Sequence, residues 1–175
     1  GALYLSGTGG RFVISDVLFE NNSTASKTSQ ANGGAINHFG AIEIYRSLFT
    51  GNESGFRGGA ICGWSDSEAL IVASTFYANS AEDVGAALFS YSGDVTIENS
   101  TIVENVDENG NGSIYNTGSG NITIINSIIE GDVNRVDFEN SWYSEYNTDR
   151  GTNLGGGVAG QSYSEIGLNG LSDNG

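Results

Sequence analysis

The chain has 175 residues, with 27 Gly and no Pro, 38% hydrophobic and 10% aromatic residues, and a formal net charge of -15. Six scattered basic residues against 21 acidic ones exclude a nucleic-acid-binding surface, which needs clustered Lys and Arg, and argue against docking on anionic lipid. The aromatic content separates the chain from disordered sequences, and many Gly without Pro suit strands whose N–H groups are all engaged, joined by tight turns.

Cys62 is the single cysteine, so no intrachain disulfide can form and a thiolate zinc site is unsupported. No apolar run approaches the ~18 residues that span a bilayer, so no membrane insertion is expected in this segment. No signal peptide is visible, Met is absent, and the sequence opens within a repeat at Gly1. We therefore expect a fragment or a processed product of a longer protein.

Taken in order, the chain repeats one phrase. FVISDVLFENN (12–22) comes first, then a polar stretch, STASKTSQAN (23–32), read as a loop insertion. GGAI (33–36) opens a second copy, IEIYRSLFTGN (42–52), and GGAI (58–61) a third, LIVASTFYAN (70–79). GAAL (85–88) precedes VTIENSTIVEN (95–105), and GSI (112–114) precedes ITIINSIIEGD (122–132). Ser47, Ser74, Ser100 and Ser127 mark the period: 74−47, 100−74 and 127−100 give 27, 26 and 27 residues. The first copy has Val17 at that position.

Alternation inside each copy is the strand signal. It yields four files of apolar residues: Leu3, Ile36, Ile61, Leu88 and Ile114; Phe12, Ile42, Ala69, Val95 and Ile122; Ile14, Ile44, Ile71, Ile97 and Ile124; and Phe19, Phe49, Phe76, Ile102 and Ile129. One such strand cannot bury its apolar face alone, whereas stacked copies form a continuous core. The fold class is therefore all-β, a right-handed single-stranded parallel β-helix of about five coils over residues 1–132. Residues 133–175 leave the pattern and read as an irregular extension over the helix end. Asn22, Asn52, Asn79 and Asn105, closed by Asp132, form a polar file expected to be a structural ladder at a turn.

The GGAI and F-x-x-N pairs (33–36 with 49–52, and 58–61 with 76–79) resemble the repeated tetrapeptides of the polymorphic outer-membrane proteins of chlamydiae. NSII (126–129), TNLGG (152–156) and LNGLSDNG (168–175) look like the helix end of choice-of-anchor type secreted bacterial β-helix proteins. The first resemblance implies autotransporter passenger domains that act as adhesins; in the second family the tail continues beyond the point where this sequence stops. Together they imply a structural or adhesive module, extracellular or at the cell surface. No family binding residue carries over, because the matching positions belong to the scaffold.

Two other function classes stay open. Polysaccharide lyases, hydrolases and epimerases share the fold, but their chemistry needs clustered carboxylates, and the outward positions here are mixed. Glu43, Tyr45 and Arg46 lie on one coil, and His38 is the only His, with no nucleophile file beside it. A self-assembling filament is the other class, since open coil ends can stack end to end. Phe39, Trp64 and Tyr91, each three residues past the first apolar position of its coil, predict an outward aromatic file that would take a sugar or a partner protein at a host or neighbouring cell surface, or else pack beneath a turn. Asp107, Asn109 and Asn111 spell the first half of a calcium loop, D-x-N-x-N-G, but Gly118 stands where the closing Glu should be; no cofactor is expected unless this turn holds Ca2+, and a plain Asn/Gly turn is the competing reading.

Overall fold

Short strands recur because each copy offers two or three runs of alternating side chains separated by residues that accept a left-handed backbone. The computed structural model describes residues 1–24, 31–65, 67–110 and 112–130, together with the backbone of strands Val136–Glu139, Trp142–Tyr143 and Val158–Ala159. Every strand pairing among them is parallel. The strands form three sheets wrapped around one core. Through residue 130 the largest stacks five rungs, so the repeats make about four turns from the first to the last, and the architecture is a parallel β-solenoid.

The first sheet begins with two long strands, Leu3–Ser15 and Ile36–Tyr45. In later coils each is split by a corner, into Ile61–Gly63 and Ala69–Val72, then Leu88–Ser90 and Val95–Glu98, then Ile114–Asn116 and Ile122–Ile125. The second sheet stacks Leu18–Glu20, Leu48–Thr50, Thr75–Tyr77, Thr101–Val103 and Ile128–Ile129, and the third Ser23–Thr24, Glu53–Ser54, Ser80–Ala81 and Val106–Asp107. Ser23 and Thr24, expected to open a polar loop, thus form the first strand of the third sheet, and Ala31 and Asn32 at its other end are buried. Beyond residue 132, Val136–Glu139 pairs with Ile122–Ile125 and Trp142–Tyr143 with Ile128–Ile129, so the sheets continue there without the 27-residue spacing.

All four apolar files are register columns. Leu3 pairs with Ile36, Ile36 with Ile61, Ile61 with Leu88, and Leu88 with Ile114; the other three files align in the same way. From the second coil onward these side chains are buried in one cluster. In the fourth file Phe19, Phe49 and Phe76 stack ring on ring, 4.7 and 4.6 Å apart with interplanar angles of 12° and 3°.

Two polar ladders stitch the corners. Each Asn of the predicted file takes the backbone N–H and the Nδ2 of the preceding one on its Oδ1, at 2.8–3.1 Å from Asn22 through Asn52 and Asn79 to Asn105. Asn52, Asn79 and Asn105 also donate through Nδ2 to the carbonyls of Phe19, Phe49 and Phe76 one coil earlier. Asp132 lies outside the described residues. The serines make the second ladder: the N–H groups of Val17, Ser47, Ser74 and Ser100 donate to the hydroxyls of Ser47, Ser74, Ser100 and Ser127, and each of these hydroxyls donates to the carbonyl two residues before it.

The residue before Val17 and before each ladder serine turns the corner with a left-handed backbone. Asp16, Arg46, Ala73, Asn99 and Asn126 have φ of 58°, 46°, 50°, 50° and 49°. For an L-residue other than Asn or Asp this costs about 1–2 kcal/mol. Ala73 is exposed and loses nothing by acquiring a polar side chain. Ala73→Asn is therefore expected to stabilise the chain by about 1 kcal/mol, raising Tm by roughly 2–4 °C. A thermal unfolding scan of both proteins measures it, and an unchanged or lower Tm would show that the corner is not strained.

Candidate functional site

The aromatic file forms on the outer surface of the first sheet. Phe39 lies on Ile36–Tyr45, and Trp64 and Tyr91 directly follow Ile61–Gly63 and Leu88–Ser90. Phe39 and Trp64 stack at 6.0 Å and 14°, and Trp64 and Tyr91 meet at 6.1 Å and 31°. Tyr4 adds a fourth ring, 5.7 Å from Phe39 and tilted by 55°. Its register partner is Asn37, so counting along the repeat does not find it. Tyr4, Phe39 and Tyr91 are 67%, 41% and 43% exposed, which is high for large apolar side chains in a single row.

Trp64 is different, because it is also engaged on its inner side. Its Nε1 donates to Asn37 Oδ1 at 2.9 Å, and its ring meets Phe89 edge-on at 6.4 Å. With Tyr115 it covers a second apolar cluster of Cys62, Val84 and Phe89 outside the sheet. Burial pushes the Cys62 thiol far above its ordinary range, which leaves it unreactive. Because Phe39 and Trp64 cover each other's faces, the surface offers their edges and the more open rings of Tyr4 and Tyr91.

A shallow groove of about 280 Å³ on the first sheet is lined by Arg11, Glu43, Glu68, Leu70, Asp94 and Thr96 among others, and none of the four rings lines it. Its carboxylates follow the aromatics in sequence, Glu43 after Phe39, Glu68 after Trp64 and Asp94 after Tyr91. This recurrence was legible in the sequence, but the polar partner falls four, four and three residues on, out of step with a fixed column. Arg11 Nη1 is 2.5 Å from Glu43 Oε1, its Nη2 is 3.8 Å from Glu68 Oε2, and the Tyr45 hydroxyl donates to Glu43 Oε2 at 3.0 Å. The Arg11 bond, followed by the Tyr45 bond, lowers the Glu43 pKa below its ordinary value. Arg46, grouped with Glu43 and Tyr45 by sequence, turns away to chelate Asp16 at 2.8 and 2.7 Å.

His38 is buried beneath Gly63, with Nδ1 2.8 Å from the Gly40 carbonyl. Burial, the larger influence, lowers its pKa below 6.5, against the weaker opposite effect of that bond. The folded state therefore binds the proton less readily than the unfolded state. The stability this contributes is complete above pH ~6.5 and is lost as pH falls through the folded-state value. Asn116 occupies the same file and donates to the Gly120 carbonyl, so His38→Asn keeps a donor without a titrating ring. Between pH 7.5 and 5, the denaturant midpoint of the native chain should fall relative to that of His38→Asn, and a constant difference would refute the assignment.

Asp107 and Asn109 of the calcium-like turn do not converge. Asp107 is buried on Val106–Asp107, in register with Ala81, and Asn109 sits in an exposed turn where its Nδ2 reaches the Glu82 and Asp83 carbonyls at 3.3 Å. Asn111 lies outside the described residues. Among the described residues no three His, Cys, Asp or Glu are placed to hold a metal ion, and no helix is long and apolar enough to cross a membrane, which says nothing about membrane β-barrels.

No curated protein and no solved structure gives a significant match. Residues 16–38 match the Chlamydia polymorphic membrane protein repeat. The matched stretch runs from Phe19-x-x-Asn22, which supplies the ring stack and the ladder, to Gly33–Ile36, which opens the next coil. Gly33, Gly58 and Gly85 share a φ near +68°, and a Cβ on Gly34 would fall 2.1 Å from the Gly59 carbonyl oxygen, so both glycines of the motif are dictated by the stacking. Over this stretch, then, the motif match and the parallel coil together fit a β-helix repeat of the polymorphic membrane protein kind, a module associated with the cell surface or outer membrane.

Proposed function

We infer that the chain is an adhesive segment of a secreted or surface-anchored protein: a rigid β-helical rod that presents one patterned face to a glycan or protein on another cell. The observation that carries this is the row of outward aromatic rings at Tyr4, Phe39, Trp64 and Tyr91 on a scaffold whose core and ladders do not need three of them. Exposed aromatics in a row are the usual anchors of binding surfaces. A carboxylate kept ionised, as Glu43 is, suits accepting hydrogen bonds from a ligand; a glycosidic general acid needs a raised pKa. We take this face as a binding site, with no cofactor in its action.

Beads coated with the chain should adhere to cultured epithelial or bacterial cells, and the Phe39→Ser/Tyr91→Ala double variant should lose most of that adhesion while its unfolding midpoint stays near the native one. Equal adhesion by the double variant would sink the reading.

A further inference from the structure

One buried file of the first sheet is polar. His38, Gly63, Ser90 and Asn116 are in register, and each side chain in it closes its own coil. His38 Nδ1 meets the Gly40 carbonyl at 2.8 Å, Ser90 Oγ donates to the Gly93 carbonyl at 3.0 Å, and Asn116 Nδ2 donates to the Gly120 carbonyl at 3.0 Å. Gly63 has no side chain to do this. Ser67, four residues on, turns inward instead; it is 1% exposed, and its Oγ has no hydrogen-bond partner. A Cβ on Gly63 would lie 2.6 Å from Ser67 Oγ and 2.7 Å from His38 Nε2, so the two atoms flank the same space. Their chemistry is complementary. A carbonyl can only accept, so the proton of neutral His38 sits on Nδ1, and Nε2 keeps a lone pair that no other described residue uses. Ser67 supplies a hydroxyl with no other acceptor. A turn about the serine Cα–Cβ bond, or one bridging water, joins the two.

We propose that the Ser67 hydroxyl and the His38 imidazole form a buried latch between the second and third coils, closed while His38 is neutral, and that acid opens it and frees the corner at residues 64–68. The corner is held at its ends, by the Trp64 N–H on the His38 carbonyl at 3.0 Å and the Ile42 N–H on the Glu68 carbonyl at 2.9 Å, and within it the Ser67 N–H donates to the Trp64 carbonyl at 2.9 Å. Between those ends, Ser67 is the buried side chain that reaches toward the second coil. Protonation at Nε2 turns the acceptor into a donor, strands the serine hydrogen and places a positive charge in the interior. The side chains in register with His38 are Leu5 from Leu3–Ser15 and Gly63 from Ile61–Gly63, and the corner presents Ser67. Among the described residues no charged group acts on the ring; Arg11, Glu43 and Glu68 meet one another on the outer groove. Opening the corner lets the imidazolium reach water. The latch is independent of what the aromatic face binds, but the corner it holds begins at Trp64.

The test is NMR of the intact chain between pH 7.5 and 5, with the imidazole nitrogens of His38 and the exchange of backbone amides followed in the native protein, Ser67→Ala and His38→Asn. The hydroxyl bond favours the neutral ring, so Ser67→Ala should raise the proton affinity of His38 about fivefold, the worth of one neutral hydrogen bond, and should move its Nε2 resonance at pH 7.5. A serine that merely fills space would change neither. In the native chain the protection of the Trp64 and Ser67 amides, corrected for the intrinsic rate, should fall about tenfold as His38 titrates, while that of the Asn79 amide on the next sheet holds. In His38→Asn all three should stay level. An unchanged His38 titration in Ser67→Ala would overturn the latch. Protection at Trp64 and Ser67 that persists to pH 5 would mean that the charged ring donates to Ser67 without opening, and an equal loss at Asn79 would mean that acid unfolds the whole coil; either result would overturn the acid release.

Discussion

Asn79→Ala is expected to lower the free energy of unfolding by roughly 2–6 kcal/mol. The side chain is buried and makes four hydrogen bonds. Its Oδ1 accepts from the Asn52 backbone N–H at 3.0 Å and from Asn52 Nδ2 at 2.9 Å; its Nδ2 donates to the Phe49 carbonyl at 3.0 Å and to Asn105 Oδ1 at 2.8 Å. Truncation strands the Asn52 backbone N–H and one N–H of Asn52 Nδ2, whose other N–H keeps the Phe19 carbonyl; Asn105 Oδ1 keeps the Asn79 backbone N–H, and the Phe49 carbonyl stays within the strand pairing. Each stranded buried group costs about 1–3 kcal/mol, less whatever a water entering the vacated space returns. Urea unfolding measures the loss, read as a shift in midpoint at constant m-value.

The position of Asn79 in the file supplies the control. Asn22 is only partly buried, and among the described residues its side chain makes one bond, from Nδ2 to Asn52 Oδ1. Asn22→Ala should therefore cost about 1 kcal/mol. Equal losses at the two positions would mean that the ladder is not what holds this corner. Amide exchange gives a local reading, because the Asn52 N–H loses its acceptor in Asn79→Ala and should lose protection before its neighbours do.

Inward positions were legible in the sequence because each is constrained from above and below by its own equivalents, so like residues recur at the coil period. Ile44, Ile71 and Ile97, or Asn52 and Asn79, could hardly be anything else. The serines were visible as period markers, but their part as a second ladder depends on an N–H one coil away, which spacing alone does not supply. The outer face was harder to read for the same physical reason. Nothing stacks on it to enforce register, and the two halves of the first sheet are joined differently from coil to coil, continuous in Ile36–Tyr45 of the second and separated between Gly63 and Ala69 in the third. The fourth ring at Tyr4, the engagement of Trp64 with Asn37 and Phe89, and the pairing of Arg46 with Asp16 all arise at such positions. Asp107 shows the opposite error, since a motif made of loop ligands placed its first residue on an inward strand position.

Phe49→Ala should cost about 4–5 kcal/mol, within the range of the ladder substitution but through packing. Phe49 is fully buried, and both of its faces are in use, against Phe19 at 4.7 Å and Phe76 at 4.6 Å. Emptying the position leaves a cavity between two rings that cannot close on each other, because the backbones of their coils are fixed by strand pairing on either side. The transfer and cavity terms for Phe→Ala account for about 3–5 kcal/mol, and the lost ring contacts add to the upper part of that range. Phe49→Leu should cost far less, about 1–1.5 kcal/mol, because the same file continues as Ile102 and Ile129 and so already accepts branched aliphatic side chains at the coil spacing. The pair of variants separates shape from hydrophobicity. If denaturant unfolding gives Phe49→Ala a loss no greater than that of Phe49→Leu, the coils must be able to collapse toward one another, and a rod whose spacing is fixed by backbone pairing could not do that.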